Sequence, residues 1–512
     1  MTITSRRDDA RRIIPRWRLS TEVTGTTETL GSGPPPPPIP TDELAFHVHQ
    51  WEKSRSDEDA LEVLFGSIVV GDTATIGNDA IKQLIETKHR LQPMVKAAAI
   101  GKLMGIQGDR HVMPELNLDE QIAETQEKVR HIAALKARLR MAPRNPLSWA
   151  DYARLAASLG AKNKAEHLIR VAKALAPESR YIARCAVRLL VHTEKAAEAK
   201  HLLENMDRTK FDPWLLAADL AVSSVVGKPS RYFKTAREMA ERASKENPNF
   251  SELFGALSTH FYEEGATKLA RRYLHRTLVK PTDNSLAQAE WLAPRIGGIV
   301  IPDASYTIPA SFEAKARHFR KLQDWENFIK ESEGWCNDEP FSTRAPGNAS
   351  YISAVATGNM AVCQKFCELG LIANPSDGTL LNNLAVAYAQ RGQIDKARNL
   401  LEKRLKRIYK PDDVHILGLE ALTAYRSGDI ENGRKFYLKA FEAAVEKKDM
   451  VLAALALLHQ VQEELVASTM EALEYFEAFE PVVKKIREPE VQSMLERLRT
   501  QAQFLSQLRR HM

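Results

Sequence analysis

Small residues recur along the chain at intervals of about 34 positions, within segments whose apolar residues have helical spacing. A residue suited to packing follows each of them four positions later, on the same face of a helix. The small residues are Ala165, Ala199, Ala236, Ala270, Cys363, Ala397 and Gly433, and their followers are Ile169, Leu203, Ala240, Leu274, Cys367, Leu401 and Tyr437. This repeat predicts a stack of helical hairpins, each packed on its neighbours.

Turn residues fall where such hairpins need them. Gly160 and Gly392 lie between the two helices of a hairpin, where a positive φ angle is unstrained only for glycine. Pro177 and Pro375 follow the second helix and end it. The small residues are therefore expected where two antiparallel helices approach closely.

The hairpin pattern resembles the tetratricopeptide repeat. Its clearest copy contains Leu381, Leu384, Ala385, Tyr388, Gly392, Ala397 and Leu401. The first copy contains Trp149, Tyr152, Ala153, Ala156, Gly160, Ala165, Ile169, Ala172 and Pro177. Arg404 departs from the family, which prefers alanine there. The resemblance covers residues 145 to about 480 and implies an all-α fold, a right-handed α-solenoid of tetratricopeptide-like hairpins.

Breaks in the pattern divide the chain into six segments. They are a disordered basic and proline-rich tail at 1–40, an irregular helical N-terminal domain at 41–142, a first array at 143–290, an irregular insertion or linker at 291–311, a second array at 312–487, and a C-terminal amphipathic capping helix at 488–512. Self-association of that last helix as a coiled coil is the alternative to capping.

The charge of the chain is concentrated at its ends. The net charge is +6, and residues 1–20 alone carry six arginines against two aspartates. Residues 481–512 carry a similar excess, so the array between them is nearly neutral. Neither a secretory signal nor a transmembrane segment is expected. With only four cysteines, these features predict a cytoplasmic protein.

The sequence contains no motif of a hydrolase, nucleotide-binding loop or metalloenzyme, which predicts a protein that is not an enzyme and needs no cofactor or metal. Two second helices are dense in basic residues. The pattern favours a solvated outer surface, and the alternative is a contact for an anionic partner, for which the candidates are Arg271, Arg272, Arg276, Lys403, Lys406 and Arg407.

The family resemblance implies a ligand surface on the concave side, lined by first helices. Asn382 and Asn383 are the candidates there for contacting a partner. The predicted function is a protein–protein interaction scaffold or adaptor, one form of which is the regulatory subunit of a bacterial multi-protein system such as a defence system. The alternative is a nucleic-acid-binding solenoid that uses the basic helices and both termini. The sequence leaves the partner, the process and the oligomeric state open.

Overall fold

The computed structural model describes residues 11–20, 41–55, 59–60, 63, 78–86, 131–132, 134–244 and 247–511. Every regular element in these ranges is a helix or a helical turn, and no strand occurs in them. The fold is all-α, an α-solenoid of tetratricopeptide-like hairpins, as the repeat predicts. Much of the predicted irregular domain at 41–142 lies outside the described residues.

The helices are numbered here in chain order. Before the array come α1 (Thr41–Ser54) and α2 (Asn78–Glu86). The first half of the array contains α3 (Pro146–Ser158), α4 (Lys162–Leu175), α5 (Arg180–His192), α6 (Ala196–Glu204), α7 (Pro213–Val226), α8 (Phe233–Arg242), α9 (Ser251–Glu263), α10 (Thr267–Thr277) and α11 (Asp283–Ile296). The second half contains α12 (Phe312–Leu322), α13 (Trp325–Asp338), α14 (Arg344–Val355), α15 (Met360–Ala373), α16 (Gly378–Gln390), α17 (Ile394–Leu400), α18 (Val414–Arg426), α19 (Ile430–Glu446), α20 (Met450–Ala467), α21 (Ala472–Val483) and α22 (Pro489–His511).

First helices of successive hairpins contact one another directly. These contacts join α7 to α9, α9 to α11, α14 to α16, α16 to α18 and α18 to α20. We call the surface lined by them the first-helix face. Second helices pack against their own first helices.

The recurring small residues allow the two helices of a hairpin to pack closely together. All seven lie on second helices and are buried, as are the seven residues that follow them by four positions. Gly160 and Gly392 have φ angles of +76° and +80° between the two helices of their hairpins. The predicted close approach at these positions is confirmed.

The regular alternation breaks after α11, which has no second helix. Residues 297–311 follow it and contain a single 3-10 turn, Asp303–Thr307. The predicted insertion at 291–311 begins too early, because Trp291, Leu292 and Ala293 are buried in the core and keep the helix intact to Ile296. Contacts divide the chain elsewhere, into a unit of Met1–Arg16 with Leu190–Met512 and a unit of Trp17–Leu189.

Helix α20 is long and apolar enough to cross a membrane, with a mean hydropathy of 1.3 over 18 residues. In the fold, 78% of this stretch is buried. Its carboxylates are paired inside the protein, Glu463 with Arg426 and Glu464 with Arg434. The helix is thus accommodated as a core helix of the array.

Helix α22 packs on α20 and α21 of the last hairpin. Its apolar stripe is buried and includes Val491, Leu495 and Leu498. The same helix also reaches back to α12 and α14, where Glu490 pairs with Arg320 at 2.6 Å and Arg497 donates to the carbonyl oxygen of Val355 at 3.2 Å. It therefore covers part of the first-helix face as well as the end of the array.

Replacing Gly433 with alanine tests the close approach of α18 and α19. A Cβ atom at this position would overlap the ring of Tyr425, so we expect a loss of about 1–3 kcal/mol of unfolding free energy. Gly347→Ala is the matched control, because nothing lies within 4 Å of its Cβ position and alanine favours the helix. Urea denaturation followed by circular dichroism measures both. Equal midpoints for the two variants would contradict the packing described here.

Candidate functional site

Residues 11–20 form an extended segment packed against the helices. Alternate residues are buried, at positions 11, 13, 15 and 17, which is the pattern of an extended chain with one face inward. The prediction of a disordered tail at 1–40 is wrong for these ten residues. Residues 1–10 and 21–40 lie outside the described part of the chain.

Arg11 is anchored by one guanidinium that makes four hydrogen bonds. Its Nε and Nη2 atoms donate to the two carboxylate oxygens of Glu313 at 2.9 and 3.2 Å. Its Nη1 donates to Gln288 Oε1 at 2.7 Å, and Nη2 also donates to Asn284 Oδ1 at 2.6 Å. Such a forked contact fits the planar geometry of arginine. Both α11 and α12 therefore hold this side chain.

Four carboxylates lie around Arg16. Three come from helices α11, α12 and α13, and the fourth comes from the residue that follows α13. Its Nε is 2.6 Å from Asp283, its Nη2 is 2.9 Å from Glu313 and its Nη1 is 3.0 Å from Asp338. Glu339 lies further away, at 3.9 Å. Burial alone would lower the pKa of Arg16, but the surrounding carboxylates raise it above its ordinary value. The charge is thus compensated within the protein.

Glu313 is the carboxylate shared by these anchors. Its side chain is fully buried, and Arg317 and Arg344 bind it in addition to Arg11 and Arg16. Burial alone would raise the pKa of Glu313, whereas the guanidinium groups, led by Arg11, hold the pKa well below its usual range. Glu313 is therefore ionised at neutral pH and binds the N-terminal segment to the array.

Side-chain amides on α11 hold the main chain of the segment. Gln288 Nε2 donates to the carbonyl oxygen of Arg11 at 3.0 Å, and Asn284 Nδ2 donates to that of Ile14 at 3.2 Å. These two residues are four positions apart and share one face of the helix. Ile13 is 1% exposed and fills the space above Gly255 of α9, where a Cβ atom would lie 2.5 Å from Ile13 Cδ1.

Arg12 makes an outer contact of the same segment. It pairs with Glu263 of α9 at 2.6 Å and donates from Nε to Ser224 Oγ of α7 at 2.9 Å. The segment therefore crosses from α7 and α9 to α11, α12 and α13 within six residues.

The unit of Trp17–Leu189 holds residues 17–20 in a comparable way. Arg154 donates to the carbonyl oxygen of Trp17 at 2.7 Å, and the Tyr181 hydroxyl donates to that of Arg18 at 2.7 Å. Asp151 accepts the main-chain N–H of Ser20 at 2.8 Å and its hydroxyl at 2.5 Å. Burial raises the pKa of Asp151, while the hydrogen bonds from Ser20 oppose that shift.

The contacts made to residues 11–20 are of two chemical kinds. Helix side chains bind main-chain carbonyl oxygens of an extended peptide, and buried carboxylates bind its arginines. These are the features of a surface that recognises a peptide. We call the part formed by Glu263, Asp283, Asn284, Gln288, Glu313, Asp338 and Glu339, with Gly255 beneath it, the arginine groove.

The predicted partner contacts Asn382 and Asn383 are 1% and 0% exposed, so neither side chain reaches the surface. Asn383 donates from Nδ2 to Ser350 Oγ at 3.1 Å and so joins α16 to α14. Asn382 lines a pocket together with Gly418 and His459. Both residues lie on a first helix, as expected, but their side chains face the interior of the stack of hairpins.

The six predicted anionic contacts lie on two separate second-helix regions. Arg276 of α10 is buried, stacks 4.1 Å above the ring of Phe254 and donates to the carbonyl oxygen of Ala240 at 2.6 Å, so it cannot meet a partner. Arg272 pairs with Glu241 and Lys406 pairs with Glu402 and Glu420. The exposed members of the set are Arg271, Arg272, Lys403, Lys406 and Arg407.

No family model matches the chain, and a search of curated proteins gives no match. Solved structures with a similar course of the chain include the Cut9–Hcn1 hetero-tetramer of the APC/C, with a TM-score of 0.35 and 12% identity over 94% of this chain and 99% of that chain. Yeast Tom70 matches with a TM-score of 0.29 and 13% identity over 91% and 96% of the two chains. The human IFIT1 dimer with m7Gppp-AAAA matches with a TM-score of 0.28 and 13% identity over 79% and 91%.

Sequence reasoning missed the arginine groove. Glu313 and Gln288 lie in segments that read as ordinary polar helix surface, and their partners are more than 270 positions away. One signal was present in the tail itself. Ile13, Ile14 and Trp17 interrupt its arginines, and large apolar side chains are not typical of a solvated disordered segment.

Replacing Glu313 with glutamine tests the anchoring carboxylate. Removing one partner of a buried ion pair leaves the others uncompensated, so we expect a loss of about 3 kcal/mol of unfolding free energy at neutral pH. Since the folded-state pKa of Glu313 lies below its unfolded value, the difference from wild type should be complete above about pH 5 and shrink as the pH falls below about 4.

Glu431→Gln is the matched control, because this exposed carboxylate pairs with Lys435, four positions away on the same helix. Its replacement should change stability little at any pH. Urea denaturation between pH 3 and pH 8 makes the comparison. A Glu313→Gln variant as stable as wild type at pH 7 would show that the ion cluster contributes nothing to the fold.

Proposed function

We propose that this protein is a non-catalytic scaffold that holds an extended segment of a protein partner on its first-helix face. The observation that carries the proposal is the pair of side-chain amides on α11, Asn284 and Gln288, which bind main-chain carbonyl oxygens of residues 11–14. Carbonyl oxygens are present in every peptide. A partner segment that follows the same path meets the same donors.

The groove needs little reorganisation to bind. Its residues sit on packed helices, and Asn284 and Gln288 are 1% and 0% exposed in the occupied state. A preformed surface avoids most of the ordering cost of association, which leaves more of the contact energy for affinity. Function as a regulatory subunit of a multi-protein system is one form of this proposal, and the identity of neighbouring genes would support it. A cytoplasmic location remains a prediction.

Peptide binding in trans tests this function. In the full-length chain, Arg11→Ala with Arg16→Ala weakens the hold on the chain's own segment. We expect a fluorescein-labelled peptide of residues 9–18 to bind this variant saturably in fluorescence anisotropy, with Kd in the micromolar range of about 1–100 μM. Adding Asn284→Ala and Gln288→Ala should weaken that binding, since the donors to the peptide main chain are lost.

A scrambled peptide of the same composition is the control for simple charge attraction. Equal binding of the scrambled and natural peptides, or no binding of either, would contradict the proposal. Circular dichroism of each variant shows whether the array remains folded.

Nucleic-acid binding is the alternative from a different class, and no contact in the described residues favours it. Arg11, Arg12 and Arg16 are engaged with carboxylates, and Arg276 is buried. We expect no gel shift of a 30-nucleotide single-stranded RNA or a DNA duplex by the full-length chain, even at low salt, where ionic binding is strongest. A shift that weakens with salt and is lost in Lys403→Ala with Arg407→Ala would support the alternative instead.

A further inference from the structure

The arginine groove has a charge requirement that its occupant must meet. Four carboxylates surround the two anchoring guanidinium groups: Asp283, Glu313, Asp338 and Glu339. Of the charged side chains around Glu313, the array itself supplies Arg317 and Arg344. Removing residues 11–16 would take Arg11 away from Glu313, and Arg16 away from Asp283, Glu313 and Asp338. Any segment that replaces residues 11–16 and restores these ion pairs must therefore bring two cations.

The geometry selects arginine over lysine for the first of these cations. The guanidinium of Arg11 bonds both oxygens of Glu313 and also the side-chain oxygens of Gln288 and Asn284. An ammonium group has a single nitrogen and cannot span a forked carboxylate and two amides in one plane. Lysine would leave some of these buried oxygens without a donor.

The space between the side chains of Arg11 and Arg16 favours a residue with a particular side-chain shape. Ile13 lies two positions after Arg11, and its side chain fills the gap left by the missing Cβ of Gly255. Its environment also includes Thr277, whose methyl carbon lies 3.7 Å from that Cβ position. Ile14 is held through its carbonyl oxygen, which any residue can offer. The groove therefore favours a segment that has an arginine, an aliphatic residue two positions later, and a second arginine five positions after the first.

We propose that residues 11–16 are an internal ligand of the arginine groove, and that the partner of this protein carries an extended segment with the pattern Arg–x–Ile–x–x–Arg which displaces them. This proposal rests on the proposed function and adds the chemistry of the partner. Displacement is consistent with the way the segment is held. Its contacts on the groove are made by helix side chains, and a second peptide with the same three side chains reproduces them.

The internal ligand also sets a threshold for binding. A tethered segment has an effective concentration on the order of millimolar, so it competes with any partner segment that arrives in solution. Partner binding and burial of residues 11–16 exclude each other at the groove. The wild-type chain should therefore bind a free peptide more weakly than a chain whose own anchors are removed.

The experiment compares two full-length proteins, wild type and Arg11→Ala with Arg16→Ala. The first probe is the labelled peptide of residues 9–18, and the second is the same peptide with lysine at positions 11 and 16. We expect the arginine peptide to bind the double variant at least about tenfold more tightly than the lysine peptide, since the fork is lost. We also expect it to bind wild type at least about tenfold more weakly than the double variant.

A paired substitution locates the peptide in the groove. In the double variant, Gly255→Ala places a methyl group against the isoleucine of the peptide and should weaken its binding. A peptide with alanine in place of that isoleucine should lose less affinity from Gly255→Ala than the natural peptide does. Gly418→Ala is the control, because nothing lies within 4 Å of its Cβ position and it is remote from the groove in sequence.

Hydrogen exchange of the wild-type chain reports displacement directly. An unlabelled peptide with serine at positions 12 and 14, whose fragments differ in mass, should lower the protection of residues 11–20 of the chain. Three results would overturn the proposal: equal affinity for the arginine and lysine peptides, binding without loss of that protection, or wild-type dimers that disappear in the double variant. The last would assign the groove to a second copy of the chain. Failure of every peptide to bind would instead contradict the proposed function itself.

Discussion

The ionised carboxylate of Glu313 is the constraint on which the arrangement of this unit depends. A buried negative charge is tolerated only when cations compensate it at close range. Here the compensation comes from Arg317 on the same helix, from Arg344 on the next hairpin, and from Arg11 and Arg16 of the N-terminal segment. One side chain thus links the regular array to a segment that lies outside the repeat.

The protein covers its own first-helix face from both ends. Residues 11–16 lie across α9, α11 and α12, and α22 lies against α12, α14 and α20. The two covers differ in chemistry. The N-terminal segment is held by ion pairs, by hydrogen bonds from side-chain amides and by the buried side chain of Ile13, whereas α22 buries a stripe of Val491, Met494, Leu495 and Leu498. The short segment, whose contacts are mostly polar, is the one suited to exchange, and the amphipathic 23-residue helix is suited to permanence.

The repeat made the architecture predictable because the residues that determine how each hairpin packs lie close together in the sequence. Ala165, Ala397 and Gly433 mark the close approaches, and Gly160 and Gly392 mark the turns, within short stretches of sequence. The arginine groove has no such local pattern in the sequence. Its residues come from positions 255, 288 and 313 and its occupant from position 11, and only the folded array brings them together. Asn382 and Asn383 were misjudged because helix periodicity does not distinguish a partner-facing side from one facing the next hairpin.

The sequence separation of the groove and its ligand has a consequence for biosynthesis. Arg11 and Glu313 are 302 positions apart, so a ribosome that adds about 5–20 residues per second finishes the docking helices roughly 15–60 s after the segment has formed. During that interval residues 11–16 have no groove to enter. Docking of the segment is therefore a late event in the life of each new chain. A ribosome-bound or truncated product that ends before α11 keeps these arginines available to whatever acidic surface it meets first.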